Sequence, residues 1–170
     1  MNVYPKDHVA VGSIMQEDLY NVLSAMLSRE EDYQCHNYLE FDSSDTIIDE
    51  TCRSKMCEWV YQVVDCTRLQ RETASISLSY VDRFMCTSSP SAGRALLSRK
   101  EYQLVVLTTL YIATKIFEPF AMDASLVSKL SRGLHSEEEI VALEYEILVA
   151  LQWKVNGKLA SPLLKCMLSA

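Results

Sequence analysis

A chain of 170 residues with 49% apolar content can bury a sizeable core as one domain, and its net charge of −7 argues against phosphate-backbone recognition, which depends on clustered Lys and Arg. Six cysteines (35, 52, 57, 66, 86, 166) form no Cys-x-x-Cys pair and have no His at ligand spacing, so neither a zinc site nor a disulfide scaffold is supported. The expected role of these thiols is to fill helix faces in reduced form. The opening Met1-Asn2-Val3-Tyr4-Pro5-Lys6-Asp7 lacks the regions of a signal peptide and no apolar run is long enough to span a bilayer, so the chain is expected to be soluble and intracellular, without a membrane partner.

In chain order, Ser13 with Gln16 makes a capping-box pattern, and Met15, Leu19, Val22, Leu23 and Met26 form an apolar stripe that predicts a first helix to about residue 31. Residues 34–49 are polar and rich in capping residues, the composition of a connection. A second helix is predicted over 49–67, with Cys52, Met56, Trp59, Val60 and Val63 at helical spacing, and a third over 72–86, with Ile76, Tyr80 and Phe84 beside Leu78, Val81 and Met85. Thr87-Ser88-Ser89-Pro90-Ser91-Ala92-Gly93 reads as a break. Next comes an uncharged run from Gln103 to Thr114, closed by Lys115, Ile116 and the stop Glu118-Pro119, with Ser98 and Glu101 as a second capping box.

At about 1.5 Å per residue this run makes a helix of roughly 20 Å, short of a bilayer core, and a helix apolar all round belongs at the centre of a bundle. A short helix over 123–130 ends near Gly133, and a last full helix starts at Ser136, with Glu137, Glu138 and Glu139 in its first turn and Ile140, Leu143, Ile147 and Leu151 as its inner stripe. Ser161-Pro162 looks like the start of one more helix. The four glycines (12, 93, 133, 157) and four prolines (5, 90, 119, 162) fall between the periodic segments, as in an all-α protein.

Four charges lie on the apolar stripes. Arg53 shares a face with Cys57, Val60 and Val64; Asp82 lies between Leu78 and Met85; Lys115 follows Tyr111 and Ile112; Glu144 sits among Ile140, Val141, Ile147 and Leu148. Unpaired, such groups would cost several kcal/mol each, on the order expected for buried charges, so they are expected to pair with one another or to meet a partner's polar groups. The plainer alternatives are architectural ion pairs, or helix phases one residue off that leave some of the four in water. For Arg53 and Asp82 the architectural reading is preferred. Lys115 and Glu144 lie near helix ends, where a pair can reach the surface.

Taken together, Cys52-Arg53-Ser54-Lys55-Met56-Cys57-Glu58-Trp59, Glu72-Thr73 followed by Tyr80-Val81-Asp82-Arg83-Phe84, Ile112-Ala113-Thr114-Lys115, Leu143-Glu144 and Leu151-Gln152-Trp153 resemble the cyclin box of the cyclins in order and spacing. Upstream, Leu27-Ser28-Arg29-Glu30-Glu31-Asp32-Tyr33 and Asn37-Tyr38-Leu39 look like the lead-in of D-type cyclins. The resemblance implies an all-α, five-helix cyclin fold around a buried central helix with one extra N-terminal helix. It divides the chain into an N-terminal helix and connection (1–44), a cyclin-box domain (45–155) and the start of a truncated or absent second cyclin fold (156–170).

By the same resemblance the chain is a regulatory subunit that binds and activates a cyclin-dependent Ser/Thr kinase in cell-cycle control, in the nucleus or cytoplasm, with kinase substrates as further partners. Lys115 and Glu144 match the family's kinase-binding lysine and glutamate, and Glu118 is expected to join them as a kinase-binding carboxylate in the following turn, although Ile116-Phe117-Glu118-Pro119 departs from the usual acidic pair. Arg53 and Asp82 match a buried structural ion pair. In some cyclins the helix bearing Trp59 forms a substrate-docking patch; here Cys52 and Lys55 stand where larger apolar residues are usual, so Met56 and Trp59 are read as core before docking surface.

Two further classes compete: a transcription factor IIB-like module sharing the fold, disfavoured by the acidic balance, and a non-catalytic helical scaffold. An enzyme is not expected, since His8, His36 and His135 fall in predicted loops or termini and there is no nucleophile elbow or glycine-rich phosphate loop. No catalytic residue, metal or cofactor is expected. Arg94-Ala95-Leu96-Leu97 matches a minimal Arg-x-x-Leu degradation signal, a pattern so short that a plain loop is the default reading.

Overall fold

The structure, a computed structural model, describes residues 20–21, 37–40 and 46–155. The chain divides into a unit of residues 1–34 and a unit of residues 35–170, and the description that follows is of the second. Of the predicted first helix, residues 20–21 are described and are helical; its remainder, most of the D-type-like lead-in, Cys35, Cys166, His8, His36 and residues 156–170 lie outside the described residues. Among the described residues there are six helices and no strand, after a 3-10 turn at Tyr38–Glu40.

Helix α1, Glu50–Thr67, starts where the Asp49 carboxylate accepts the Cys52 N–H at 2.7 Å. Its buried line is Arg53, Cys57, Val60, Val63 and Val64, while Cys52, Met56 and Trp59 are half-buried along its flank. Helix α2, Arg71–Met85, is buried on most of its surface. Helix α3, Pro90–Leu96, occupies the stretch read as a break, so Pro90 and Gly93 lie inside a helix. The physical reason is that proline stops a helix from within but suits its first turn, where the missing N–H would have no intrahelical acceptor. The Arg94–Leu96 part of the Arg-x-x-Leu pattern is therefore helical and not a plain loop, with Ala95 fully buried.

Helix α4, Arg99–Phe117, is the predicted axle. Ser98 caps it by accepting the Glu101 N–H, and every residue from Leu104 to Thr114 is buried. It packs against all five other helices. Its threonines do not strand hydroxyls in the core: Thr108, Thr109 and Thr114 each donate to a backbone carbonyl one turn earlier, at 2.8–2.9 Å. The helix ends at Glu118, extended at ψ 142°, because Pro119 disfavours helical geometry in the residue before it.

Helix α5, Ala124–Leu130, is capped by Asp123, and the chain leaves it through Gly133 at φ +75°, where the absent Cβ removes the steric cost. Helix α6, Glu137–Ala150, carries a reciprocal capping box: the Ser136 hydroxyl accepts the Glu139 N–H and the Glu139 carboxylate accepts the Ser136 N–H. Beyond α6, the Val155 carbonyl accepts the Tyr80 hydroxyl and the Lys154 carbonyl accepts from Arg83, tying the segment to α2. The cysteines do not all fill helix faces as expected. Cys57 is buried and Cys52 half-buried, but Cys66 and Cys86 are exposed, one late in α1 and one just past α2.

Candidate functional site

Lys115 occupies the last turn of α4, where the helix C-terminus favours a cation. Its ammonium donates to Glu144 Oε1 on α6 at 2.6 Å and lies 4.7 Å from the centroid of the Tyr111 ring, one turn earlier. The lysine side chain is 42% exposed and the glutamate 13%, so the pair opens to solvent on its cationic side. Burial works against the Lys115 cation, but the hydrogen bond and charge of Glu144, with Tyr111, outweigh it and hold the ammonium pKa above its ordinary value. The expected pairing is therefore present, with α4 and α6 each supplying one member.

Glu118 is placed elsewhere. Its Oε1 accepts the Gln70 N–H at 2.9 Å and the Thr73 hydroxyl at 2.5 Å, so it caps the N-terminus of α2 from a distant part of the chain. The Lys115–Glu144 pair closes without it.

The second expected pair is buried in the core. Arg53 Nε and Nη2 donate to Asp82 Oδ1 and Oδ2 at 3.0 and 2.8 Å, a bidentate fork with side chains 3% and 1% exposed. Burial disfavours the Arg53 charge, yet Asp82 more than offsets it, and the guanidinium pKa is raised. Two residues that the sequence pattern did not single out complete the cluster: the Tyr38 hydroxyl donates to Asp82 Oδ1 at 3.4 Å and lies 3.0 Å from the Tyr102 hydroxyl. Burial pushes both phenols above their ordinary range. Tyrosines facing a predicted buried acid were the available signal, but nothing local pairs residue 38 with 82.

Met56 and Trp59 are half-buried and packed against the core. Beside them a shallow depression is lined by Ile48, Cys52, Lys55, Met56, Arg99 and Tyr102, with Lys55 exposed at its edge. Helix α6 is apolar on two sides. Ile140, Leu143 and Ile147 face the core, and Val141, Tyr145 and Val149, which flank Glu144, are 49%, 67% and 47% exposed. Sequence reasoning missed this outer stripe, although its spacing of four was readable. His135 lies in the α5–α6 connection, as expected, but is only 1% exposed, and neither ring nitrogen has a hydrogen-bond partner among the described residues.

Among the described residues, no cluster of His, Cys, Asp and Glu could hold a metal ion, and no helix is long and apolar enough to cross a membrane.

Residues 21–156 match the family described as cyclin, N-terminal domain. The chain is 30% identical over 137 residues to a G2/mitotic-specific cyclin-2 of Antirrhinum majus, covering 81% of this chain and 28% of that protein. It is 30% identical over 104 residues to a G1/S-specific cyclin-E1 of Gallus gallus, covering 61% of this chain and 24% of that protein. The chain thus spans about a quarter of the length of these relatives. The crystal structure of a viral cyclin from herpesvirus saimiri superposes with a TM-score of 0.61 at 21% identity, covering 81% of this chain and 56% of the viral one, a likeness of fold.

Proposed function

The chain belongs to the cyclin family, and from that premise we propose that it is a regulatory subunit that binds a cyclin-dependent Ser/Thr kinase and activates it. The observation that carries this reading is the Lys115–Glu144 pair: two charges held by rigid helices at the surface, on the positions that match the family's kinase-binding residues. The exposed stripe of Val141, Tyr145 and Val149 beside Glu144 supports it, because apolar surface next to fixed charges suits a protein partner.

In this reading the pair meets main-chain groups ahead of the mobile C helix of the kinase. Docking there holds that helix inward, so that the Lys–Glu ion pair of the kinase active site can form. The regulatory chain supplies no catalytic group. Glu118, engaged at the N-terminus of α2, acts by fixing the turn that follows Lys115. A nuclear or cytoplasmic location follows from the proposed partner.

The test compares binding with folding. Lys115→Ala and Glu144→Ala should each weaken kinase binding by about tenfold or more, on the order of 1.4 kcal/mol. Their thermal midpoints should stay close to the parent's, since a surface pair contributes about 0–1 kcal/mol. Titration calorimetry with purified cyclin-dependent kinases, alongside thermal unfolding, reads both quantities. Unchanged binding, or binding lost only in step with folding, would sink the proposal.

A further inference from the structure

We propose that Ser89 is a phosphorylation site for a proline-directed Ser/Thr kinase, and that its phosphorylation releases the connection between α2 and α3 from α6. The inference does not rest on kinase docking by Lys115 and Glu144.

The observations lie on both sides of the Ser89 hydroxyl. On the substrate side, Cys86, Ser88 and Pro90 are exposed, and Ser89 is half-buried in extended backbone at φ −62° and ψ 138°. Pro90 has no N–H, so a kinase groove that offers no acceptor to the residue after the target serine accepts it and penalises any other residue there. Thr87, Ser88 and Ser91 are not followed by proline, and Ser91 is buried.

On the response side, the Ser89 hydroxyl donates to the Glu146 carboxylate of α6. That carboxylate also accepts the Ser91 N–H at 3.3 Å and the Ser91 hydroxyl at 2.6 Å. Phosphorylation forms the bond from Ser89 Oγ to phosphorus as the bond to the γ-phosphoryl group of a nucleoside triphosphate breaks. The nucleoside diphosphate leaves, and the hydroxyl proton passes to the base of the kinase. A donor to Glu146 thereby becomes an acceptor of about −1.5 to −2 charge facing a carboxylate. Arg94, the cation beside this cluster, already donates to Ser91 Oγ at 2.6 Å. The contact that ties the connection to α6 turns from attraction to repulsion.

The test treats the 170-residue chain with a purified proline-directed Ser/Thr kinase, ATP and Mg²⁺, maps phosphate by mass spectrometry and measures thermal midpoints. Phosphate is expected on Ser89 of the parent and absent from that position in Ser89→Ala and Pro90→Ala. The kinase-treated parent should lose about 2–4 °C more, the shift of roughly 1 kcal/mol at this size, than kinase-treated Ser89→Ala, which keeps the other Ser-Pro at Ser161, and kinase-treated Glu146→Gln should lose clearly less than the parent. No phosphate on Ser89, phosphate retained on Ser89 in Pro90→Ala, or an equal midpoint loss in Glu146→Gln would overturn the proposal.

Discussion

Arg53 shows how one side chain can stand in a core that excludes charge. Its guanidinium has a bidentate acceptor in Asp82, and Asp82 in turn accepts from Tyr38. Arg53→Ala removes one side of this buried pair and strands the other, which should cost about 3–5 kcal/mol in chemical denaturation; an unchanged unfolding curve would refute the pairing. His135 makes a different claim, about pH. Burial holds its folded pKa below the ordinary imidazole value, so the folded state favours the neutral ring. Above about pH 6.5 the ring is neutral in both states and its contribution is intact; as pH falls below 6.5 the unfolded chain takes up the proton first and stability is lost until the folded pKa is passed. Denaturation midpoints should therefore fall more steeply between pH 7.5 and 5.5 in the parent than in His135→Gln, and equal slopes would count against it. The sequence placed Arg53 correctly, because helical spacing puts it with Cys57, Val60 and Val64. The burial of His135 in a connection left no periodic signal.

At the scale of the element, α4 shows how far composition and caps can specify a helix. A start at Ser98, a stop at Glu118-Pro119 and an uncharged run from Gln103 to Thr114 between them leave it one length and one place, the centre. Leu107 is fully buried there, so Leu107→Ala should lower the unfolding free energy by about 2–5 kcal/mol; little change would contradict a central α4. Helix α3 marks the opposite case. Its seven residues are too few for a periodic stripe, and Ser, Pro and Gly are as common in turns as in a first helical turn. Tertiary contacts decide the matter: Glu146 holds the residues at its start, and the Leu96 carbonyl at its end accepts the Ile47 N–H at 3.0 Å.

Across the whole molecule, the proposed function assigns folding and kinase binding to different residues. The core network of Arg53, Asp82, Tyr38 and Tyr102 and the apolar body of α4 hold the bundle, while Lys115, Glu144 and the outer stripe of α6 stand at its surface. Lys115→Ala and Leu107→Ala should therefore separate binding from stability. By itself the sequence determined the helix class, the cap at Ser98, the helix start at Ser136, the inner stripes of α2 and α6, and the presence of four charges that needed partners. Only the tertiary structure decided that Tyr38 reaches Asp82 across 44 residues and Tyr102 across 64, that Glu118 caps α2 from 48 residues away, and that Glu146 holds Ser89 across 57. The reason is geometric. Periodicity sets the direction of a side chain about its own helix axis, but which side chain it meets depends on the rotation and offset between helices, which is settled only when the core packs.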